Sequence, residues 1–213
     1  VYDFQDGIVD VNTTVSLVKQ ITQVVNENGE TVSKLYILKG NKEICYQVAE
    51  GISLDQVKGE DGALYRVREG AVIRFAVNKR GEISNMTLVL DPYAPYESAL
   101  KCATNPNAAY TEKFRVIYGT VYSKIEGLIQ LTTKDLSDPQ VVQSIRLADL
   151  ENYTNLERYP IYLCEIKGEE AIIRTGSVSD IGGYLTEGED ASRLLVNTLY
   201  GDPKNIFIYH FVD

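Results

Sequence analysis

Short runs of alternating apolar and polar residues, separated by glycine-containing turns, constrain the fold of this chain more than any other feature. The alternation is clear at residues 34–38 and 72–77, and a period of two residues is typical of an extended strand with one side against a core. Helical periodicity is scarce, and parallel strands would need crossover helices between them. We therefore expect an all-β chain built largely from hairpins. Glycine turns that fit this prediction are Asn28-Gly29, Gly40-Asn41, Asp61-Gly62, Arg80-Gly81, Glu126-Gly127, Lys167-Gly168 and Gly201-Asp202.

Two segments near the ends of the two halves resemble each other. Residues 72–89 can be aligned without a gap on residues 192–209, which matches Gly81 with Gly201 and Asn85 with Asn205. Each segment predicts a strand, a turn and a second strand. The beginnings of the halves also correspond, since Gly7-Ile8-Val9-Asp10-Val11 resembles Gly119-Thr120-Val121-Tyr122-Ser123. The pattern predicts an internal repeat.

The repeat and the length together predict two domains. With 213 residues, the chain is long enough for two domains of about 100 residues, each with a usable core. We expect two tandem small β-barrels or sandwiches of about five to six strands each, at residues 1–92 and 113–213. Residues 93–112 are the predicted linker, with one helical turn near 96–102. A single continuous sandwich is the alternative.

The charge balance argues against nucleic-acid binding. The chain has 21 Lys and Arg against 30 Asp and Glu, a net charge of −9, whereas phosphate neutralisation needs clustered basic residues. The apolar runs are far shorter than the roughly 18 residues of a membrane-spanning helix. The chain begins at Val1 and shows no signal-peptide pattern, so we interpret it as a piece of a longer protein.

The sequence predicts no catalytic, cofactor or metal site. Cys45, Cys102 and Cys164 are widely spaced, and Cys45 and Cys164 lie in apolar strand-like runs that favour a buried position. The single histidine, His210, lies in an alternating C-terminal strand, and no GxSxG pattern accompanies it. A structural or surface role is therefore favoured for His210. Glycine-rich nucleotide-binding motifs are absent from the sequence.

Two kinds of ligand site are conceivable but not favoured. Asp6, Asp10 and Asn12, and the run 187–190, supply oxygen ligands suited to calcium, but neither fits the spacing of a calcium loop. The 15 tyrosines could form sugar-stacking platforms, but the chain has no Trp. Tyrosine is also a good strand former. The strand tyrosines concerned are Tyr36, Tyr65, Tyr118 and Tyr209.

A longer loop at residues 177–191 of the second domain is the predicted place for any ligand site. It contains glycines that permit unusual backbone shapes. We expect this loop to be ordered, because its apolar residues can pack against the second domain. The apolar residues are Ile181, Tyr184 and Leu185, and the oxygen-bearing ones are Asp180, Glu187, Glu189 and Asp190.

Several segments of the second half carry a resemblance to a known group of proteins. They are Gly119-Thr120-Val121-Tyr122-Ser123, Ile129-Gln130-Leu131-Thr132-Thr133, Gly176-Ser177-Val178-Ser179-Asp180-Ile181, Gly188-Glu189-Asp190-Ala191-Ser192-Arg193 and Tyr200-Gly201-Asp202-Pro203-Lys204-Asn205-Ile206. Through them, the chain resembles the β-rich C-terminal region that follows S-layer-homology modules in surface proteins of Gram-positive gut Clostridia. The resemblance implies an extracellular, cell-surface context and no known chemistry.

These observations lead to a functional hypothesis. We expect a non-enzymatic cell-surface or interaction module of a larger exported protein, with an unknown protein or a cell-wall glycan as its partner. We expect no nucleic-acid partner and no membrane span. The alternative is a carbohydrate-binding, wall-binding or wall-processing β domain.

Overall fold

The structure is a computed structural model that describes residues 8–11, 15–103, 114–125, 128–132, 142–146, 159–182, 192–199 and 202–212. Contacts between residues divide the chain into two compact units, Val1–Ala109 and Tyr110–Asp213. Strands dominate both units, so the predicted all-β character is confirmed. In the described part of the chain, no helix has the length and apolar character needed to cross a lipid bilayer.

The first unit contains one main sheet, a small two-stranded sheet and one helix. Its elements are β1 (Ile8–Val11), β2 (Ser16–Val25), β3 (Thr31–Lys39), β4 (Lys42–Gln47), β5 (Val57–Lys58), β6 (Leu64–Tyr65), β7 (Val72–Asn78), β8 (Ile83–Leu90) and α1 (Tyr96–Ala103). The main sheet has the order β1-β7-β2-β3-β4, and β8 also pairs with β7. β1 and β2 both pair with β7, at its two ends. All pairs between named strands of this sheet are antiparallel.

Two single bridges connect β8 to chain segments outside its hairpin. Val48, just after β4, forms a parallel bridge with Ile83, and Gly59, just after β5, forms one with Leu88. The amide of Glu60 also donates to the carbonyl of Leu88 at 3.0 Å. These contacts hold the β5–β6 hairpin beside β8, but the pairings of the described strands do not close a barrel.

One core cluster of the first unit lies on one face of this sheet, and Leu17, Val72 and Leu90 are fully buried on its opposite face. Alternation explains its composition, because every second residue of a strand points to the same side. Cys102 of α1 joins this core, so the helix packs on the sheet rather than lying free in the predicted linker. The buried core residues include Val18, Leu35, Ile37, Val48, Val57, Ile73, Phe75, Ile83, Met86, Leu88 and Cys102.

Two hairpin turns of the first unit share one five-residue arrangement. In Asn26-Glu27-Asn28-Gly29-Glu30, the first side chain accepts from the amides of Asn28 and Glu30 at 3.0 and 2.8 Å. In Asn78-Lys79-Arg80-Gly81-Glu82, Asn78 accepts from Arg80 and Glu82 at 2.9 and 3.0 Å. Each asparagine also donates to the glutamate carboxylate, and each glycine has a positive φ, 82° and 76°. The two turns are therefore fixed locally by their own side chains.

In the second unit, the strands that the structure describes form one sheet. Its strands are β9 (Phe114–Ile125), β10 (Leu128–Thr132), β11 (Val142–Arg146), β12 (Ile161–Lys167), β13 (Glu170–Thr175), β14 (Arg193–Leu199) and β15 (Asp202–Phe211). Their order is β11-β10-β9-β14-β15-β12-β13. The β12–β15 pair is parallel, with Ile161 opposite Ile206 and Ile166 opposite Phe211. The sequence predicted a chain built largely from hairpins, and this parallel pair departs from that pattern, because β13 and β14 lie between β12 and β15 in the chain and serve as the crossover.

The central strands of the second sheet are buried on both faces. One face forms a core with Ile181, which follows β13, and the opposite face is buried as well. Two-sided burial explains why β14 has a nearly continuous apolar run instead of clean alternation. The core of the first face contains Val121, Ile129, Leu131, Ile161, Leu163, Ile181, Leu194, Val196, Ile206 and Ile208. Buried residues of the opposite face include Tyr118, Cys164, Leu195, Phe207 and Tyr209.

Two predictions about the cysteines and the linker have different outcomes. Cys164 is buried as predicted, but Cys45 is exposed, so the prediction of a buried Cys45 is wrong. β4 is the last strand in the order of its sheet, where the neighbouring Ile44 and Tyr46 are only half-buried. In the predicted linker, α1 extends the single predicted turn to eight residues.

Candidate functional site

The start of the predicted loop packs onto the second sheet. A short 3₁₀ turn, Val178–Asp180, follows β13, and Ile181 is 4% exposed within the core. The Lys124 ammonium of β9 donates to the carbonyl of Val178 at 3.0 Å. These contacts pack residues 177–182 onto the sheet, whereas residues 183–191, with Tyr184, Leu185, Glu187, Glu189 and Asp190, lie outside the described part of the chain.

Asp180 closes this turn through its side chain. Its Oδ2 accepts from the amide of Ser177 at 2.7 Å and from the Ser177 hydroxyl at 2.8 Å. Its Oδ1 lies 3.3 Å from an Arg174 nitrogen. Burial opposes ionisation, but the hydrogen bonds from Ser177 and the charge of Arg174 prevail, so the pKa of Asp180 is lowered. The carboxylate is thus charged at neutral pH and serves as a cap.

A serine–histidine contact lies beside this turn. Ser192 is 1% exposed and immediately precedes β14, and His210 is half-buried on β15. Ser192 Oγ lies 2.8 Å from His210 Nε2, and the same nitrogen lies 3.0 Å from the backbone carbonyl oxygen of Asp180. We call the set of Ser192, His210, Asp180 and Gly182 the Ser192–His210 node.

The hydrogen bonds of the node assign its protons. The Ser192 hydroxyl donates to the carbonyl of Gly182 at 2.6 Å and accepts from the Gly182 amide at 3.2 Å. A hydroxyl has one proton to donate, so His210 Nε2 must be the donor toward Ser192 Oγ. The Asp180 carbonyl can only accept, which requires the same proton on Nε2.

This proton assignment is the reverse of that in a catalytic dyad. A nucleophilic serine passes its proton to an unprotonated Nε2, whereas Nε2 of His210 donates to two acceptors here. The carbonyl oxygens of Asp180 and Gly182 can only accept, so His210 Nε2 and the Ser192 hydroxyl must be the donors to them. The node therefore connects the loop base to β14 and β15 and supplies no activated nucleophile.

A second polar cluster lies in the first unit, around Gly59. The Tyr65 hydroxyl donates to Asp61 Oδ2 at 2.9 Å, and the Cys102 thiol donates to the carbonyl of Leu88 at 3.4 Å. Gly59 lies so close that a Cβ atom there would be 2.6 Å from the Tyr65 ring and 2.9 Å from the Cys102 sulfur. The cluster packs α1, the β5–β6 hairpin and β8 together.

Tyr65 and Cys102 of this cluster both have raised pKa values. Burial is the main cause that raises the pKa of the Cys102 thiol to about 11. Burial and the hydrogen bond to Asp61 raise the pKa of Tyr65. In the second unit, complete burial raises the pKa of Cys164. A thiol is nucleophilic only as the thiolate, so Cys102 and Cys164 are chemically inert in the folded protein.

The tyrosines considered as sugar platforms occupy different environments. Tyr118 and Tyr209 are fully buried and cannot stack on a sugar ring. Tyr36 and Tyr65 are half-buried, and Tyr65 is held by Asp61. Tyr36 and Tyr65 belong to the first unit, and Tyr118 and Tyr209 belong to the second.

The calcium candidates lie largely outside the described residues. The backbone of Asp10 pairs with Val77, and Asp6, Asn12 and residues 187–190 are not described. Among the side chains that the structure does describe, no group of three or more His, Cys, Asp or Glu residues is arranged to hold a metal ion.

Sequence reasoning missed two residues of these clusters. The sequence marks Ser192 only as part of the aligned segment 192–209 and the resemblance segment 188–193, and no motif marks Gly59. Their partners, His210 and Cys102, are each distant in the chain. The β14–β15 register brings Ser192 to His210, and the Gly59–Leu88 bridge brings Gly59 to the residue whose carbonyl accepts from Cys102. The alternating pattern around His210 predicted its strand but could not identify its neighbours.

Comparisons with known proteins found no similarity that identifies the chain. No protein family matches it. No curated protein matches it, and no solved structure matches it either.

Proposed function

We propose that the chain is a non-enzymatic cell-surface or interaction module, part of a larger exported protein. The observation that carries this proposal is the proton assignment in the Ser192–His210 node, where the only histidine acts as a fixed donor. The inert thiols of Cys102 and Cys164 support the same conclusion. The resemblance to regions that follow S-layer-homology modules supplies the cell-surface setting.

We also propose that the two units are copies of one β unit. The proposal is supported by strand order: β4-β3-β2-β7-β8 in the first unit and β11-β10-β9-β14-β15 in the second. In each unit, the last strand of this series has a parallel neighbour, β5 through the Gly59–Leu88 bridge and β12 along its length. Each neighbour forms a hairpin with the next strand.

The strand registers require a correction to the gapless alignment. Ile73 and Leu88 face the core of the first unit, and Leu194 and Ile208 face that of the second. When these core residues are matched, the difference in residue number between β7 and β14 is one larger than the difference between β8 and β15. The difference lies in the turns, since three residues separate Asn78 from Glu82 and two separate Leu199 from Asp202. A slip of one residue would exchange the two faces of a strand.

The matched beginnings of the two halves also need correction. Ser16 pairs with Ile73, and Gly119 pairs with Leu194. These pairings make Ser16 the counterpart of Gly119. Residues 7–11 therefore do not correspond to 119–123, because β1 pairs at the other end of β7.

Binding and activity measurements on the full chain test the proposed function. Purified protein is incubated with cell-wall fragments and with a glycan array, and both binding and release of soluble fragments are recorded. We expect no fragment release, with Ser192→Ala and His210→Ala indistinguishable from the parent protein. Release that is abolished by either substitution would contradict the non-enzymatic proposal.

The same experiment separates the alternative function. Saturable glycan binding that is lost on substitution of an exposed ring would favour a carbohydrate-binding domain. Tyr122, 39% exposed on β9, is the ring to substitute. Buried Tyr209 is unsuitable, because its substitution would change the core. Labelling of intact cells of the source organism with an antibody to the chain tests the cell-surface setting.

A further inference from the structure

β13 is the terminal strand of the second sheet in the described part of the chain. It pairs with β12, and the strand order ends there. An edge strand presents backbone donors and acceptors that can template pairing with another strand. The outer edge of β13 is therefore a surface of this chain suited to β-strand addition.

The hydrogen bonds between β13 and β12 show which residues of β13 direct their backbone N–H and C=O groups to the outer edge. The Gly176 amide donates toward the sheet, to the carbonyl of Ile161 at 2.8 Å. Inward and outward backbone groups alternate along a strand, so Glu170, Ile172 and Arg174 also direct their backbone groups to β12. Ala171, Ile173 and Thr175 direct theirs to the outer edge.

Side chains along the edge form a short self-complementary pattern. Glu170, Ile172 and Arg174 share one face of β13 because they are two residues apart. Glu170 is exposed, Ile172 is 62% exposed, and the Arg174 side chain is 51% exposed. An acidic, an apolar and a basic residue therefore follow one another on one exposed face.

We propose that β13 pairs with β13 of a second copy of this chain, antiparallel and with Ile172 opposite Ile172. This register places Ala171 opposite Ile173 of the other copy, so the outward backbone groups bond each other. It also places Glu170 opposite Arg174 in both directions. Two ion pairs thus flank one apolar contact, which makes the patch self-complementary as a twofold interface requires.

The existing contacts of Arg174 are compatible with this pairing. Arg174 lies 3.3 Å from Asp180 and 3.8 Å from Glu165. A guanidinium has five N–H donors in a planar fork, so it can keep the Asp180 contact and bind Glu170 of the second copy. Asp180 then holds the guanidinium in position at the edge.

The edge of the first sheet is less suited to the same role. Beyond β4, Val48 bridges to Ile83 and the Ala49 amide donates to the Ile83 carbonyl at 2.9 Å. The Gln47 side chain donates to Glu82 at 3.2 Å. The end of β4 is therefore occupied by its own unit, and we assign self-pairing to β13. The inference goes beyond the proposed function and does not depend on it.

Sedimentation velocity of the full chain over a wide concentration range tests the pairing. We expect weak, reversible dimers, because one short strand pair buries less area than a standard interface. Glu170→Arg and Arg174→Glu should each weaken dimerisation by about tenfold, since each sets like charges opposite each other twice. An equimolar mixture of the two variants should dimerise, because one variant then carries two basic residues at these positions and the other carries two acidic ones.

The controls separate pairing from charge and folding effects. Glu169→Arg changes the net charge equally but lies in the hairpin turn outside β13, and it should dimerise like the parent protein. Circular dichroism reports whether each variant is folded. A parent chain that stays monomeric throughout overturns the proposal. Unchanged dimerisation of Glu170→Arg overturns it too, as does a mixture of folded variants that stays monomeric.

Discussion

Ser192 Oγ lies 2.8 Å from His210 Nε2, and the histidine is the donor. The contact joins the residue before β14 to the penultimate residue of β15, two strands that already pair with each other. The contact also holds the start of the 177–191 segment, because Ser192 binds Gly182 and His210 binds Asp180. A buried hydroxyl thus fixes where the loop leaves and rejoins the sheet.

Ser192→Ala should destabilise the second unit by about 1–2 kcal/mol, because the Gly182 amide loses its acceptor and His210 loses a partner, while the Gly182 carbonyl keeps its hydrogen bond from the Ser192 amide. Urea unfolding followed by circular dichroism measures the loss. Hydrogen exchange should accelerate at the amide of Gly182. Ser53→Ala, an exposed serine of the first unit that accepts from the Asp55 amide, is the control. Equal effects of the two substitutions would contradict a special role for the node.

Asp180 gives the protein an acid-sensitive contribution to stability. Its folded pKa lies below the ordinary value of 3.8, so its stabilising contribution is present above that pH and is lost as the pH falls through the folded pKa. Asp180→Asn should therefore be less stable than the parent at neutral pH, with a gap that narrows in acid. Urea unfolding at several pH values measures the gap. A gap that stays constant across the acid range would contradict the assignment.

Gly59→Ala should destabilise the first unit by about 1–3 kcal/mol, because the added methyl group would overlap the Tyr65 ring, Asp61 and Cys102. Gly182→Ala is the matched control, since a Cβ there meets no atom within 4 Å. Thermal unfolding of both variants measures the difference. Equal melting temperatures would show that the cluster around Gly59 can relax without cost.

Asn78→Ala should cost about 1 kcal/mol, because the turn amides of Arg80 and Glu82 lose their side-chain acceptor. Asn26→Ala should have a similar effect in the corresponding turn. Asn28→Ala changes an exposed residue of the same turn and should change stability less. Chemical denaturation ranks the three variants, and a ranking with Asn28→Ala as the most harmful would refute the shared turn mechanism.

One thiol should react rapidly in the folded protein. Cys45 is exposed, whereas Cys102 and Cys164 are buried and burial raises the pKa of both. A colorimetric disulfide reagent should label one thiol per native chain and all three in urea, and Cys45→Ser should remove the fast reaction. Rapid labelling of a second thiol at neutral pH would contradict the burial of Cys102 and Cys164.

Local patterns of the sequence predicted most strands but not their neighbours. Alternation at residues 34–38 and 72–77 identified parts of β3 and β7, because the period of two is a property of one strand alone. The apolar run around Cys45 did not predict its exposure, which depends on the edge position of β4. Under the proposed correspondence of the two units, the gapless alignment misses a one-residue difference in turn length, since glycine turns of different length look alike in sequence.

The candidate site was less predictable than the fold. The sequence predicted an ordered loop at 177–191 and a structural or surface role for His210. The structure packs the start of this loop, residues 177–182, onto the sheet, and the order of the loop stays a prediction. The partners of His210 were not predictable, because a side-chain hydrogen bond depends on tertiary register rather than on local spacing. Parallel pairing of β12 with β15 was missed for the same reason.

The parallel pair β12–β15 has a kinetic consequence. Its two strands are separated in the chain by β13, the 177–191 loop and β14. Pairing them therefore closes a long loop, and the chain loses entropy before the contacts between the strands can form. The hairpins β9–β10, β12–β13 and β14–β15 involve only short closures and can form earlier. The β9–β14 pair spans an even longer stretch of chain, since Thr120 lies opposite Arg193. The second unit should therefore assemble from preformed hairpins, and the docking of β14 beside β9 and of β12 beside β15 should be its late events.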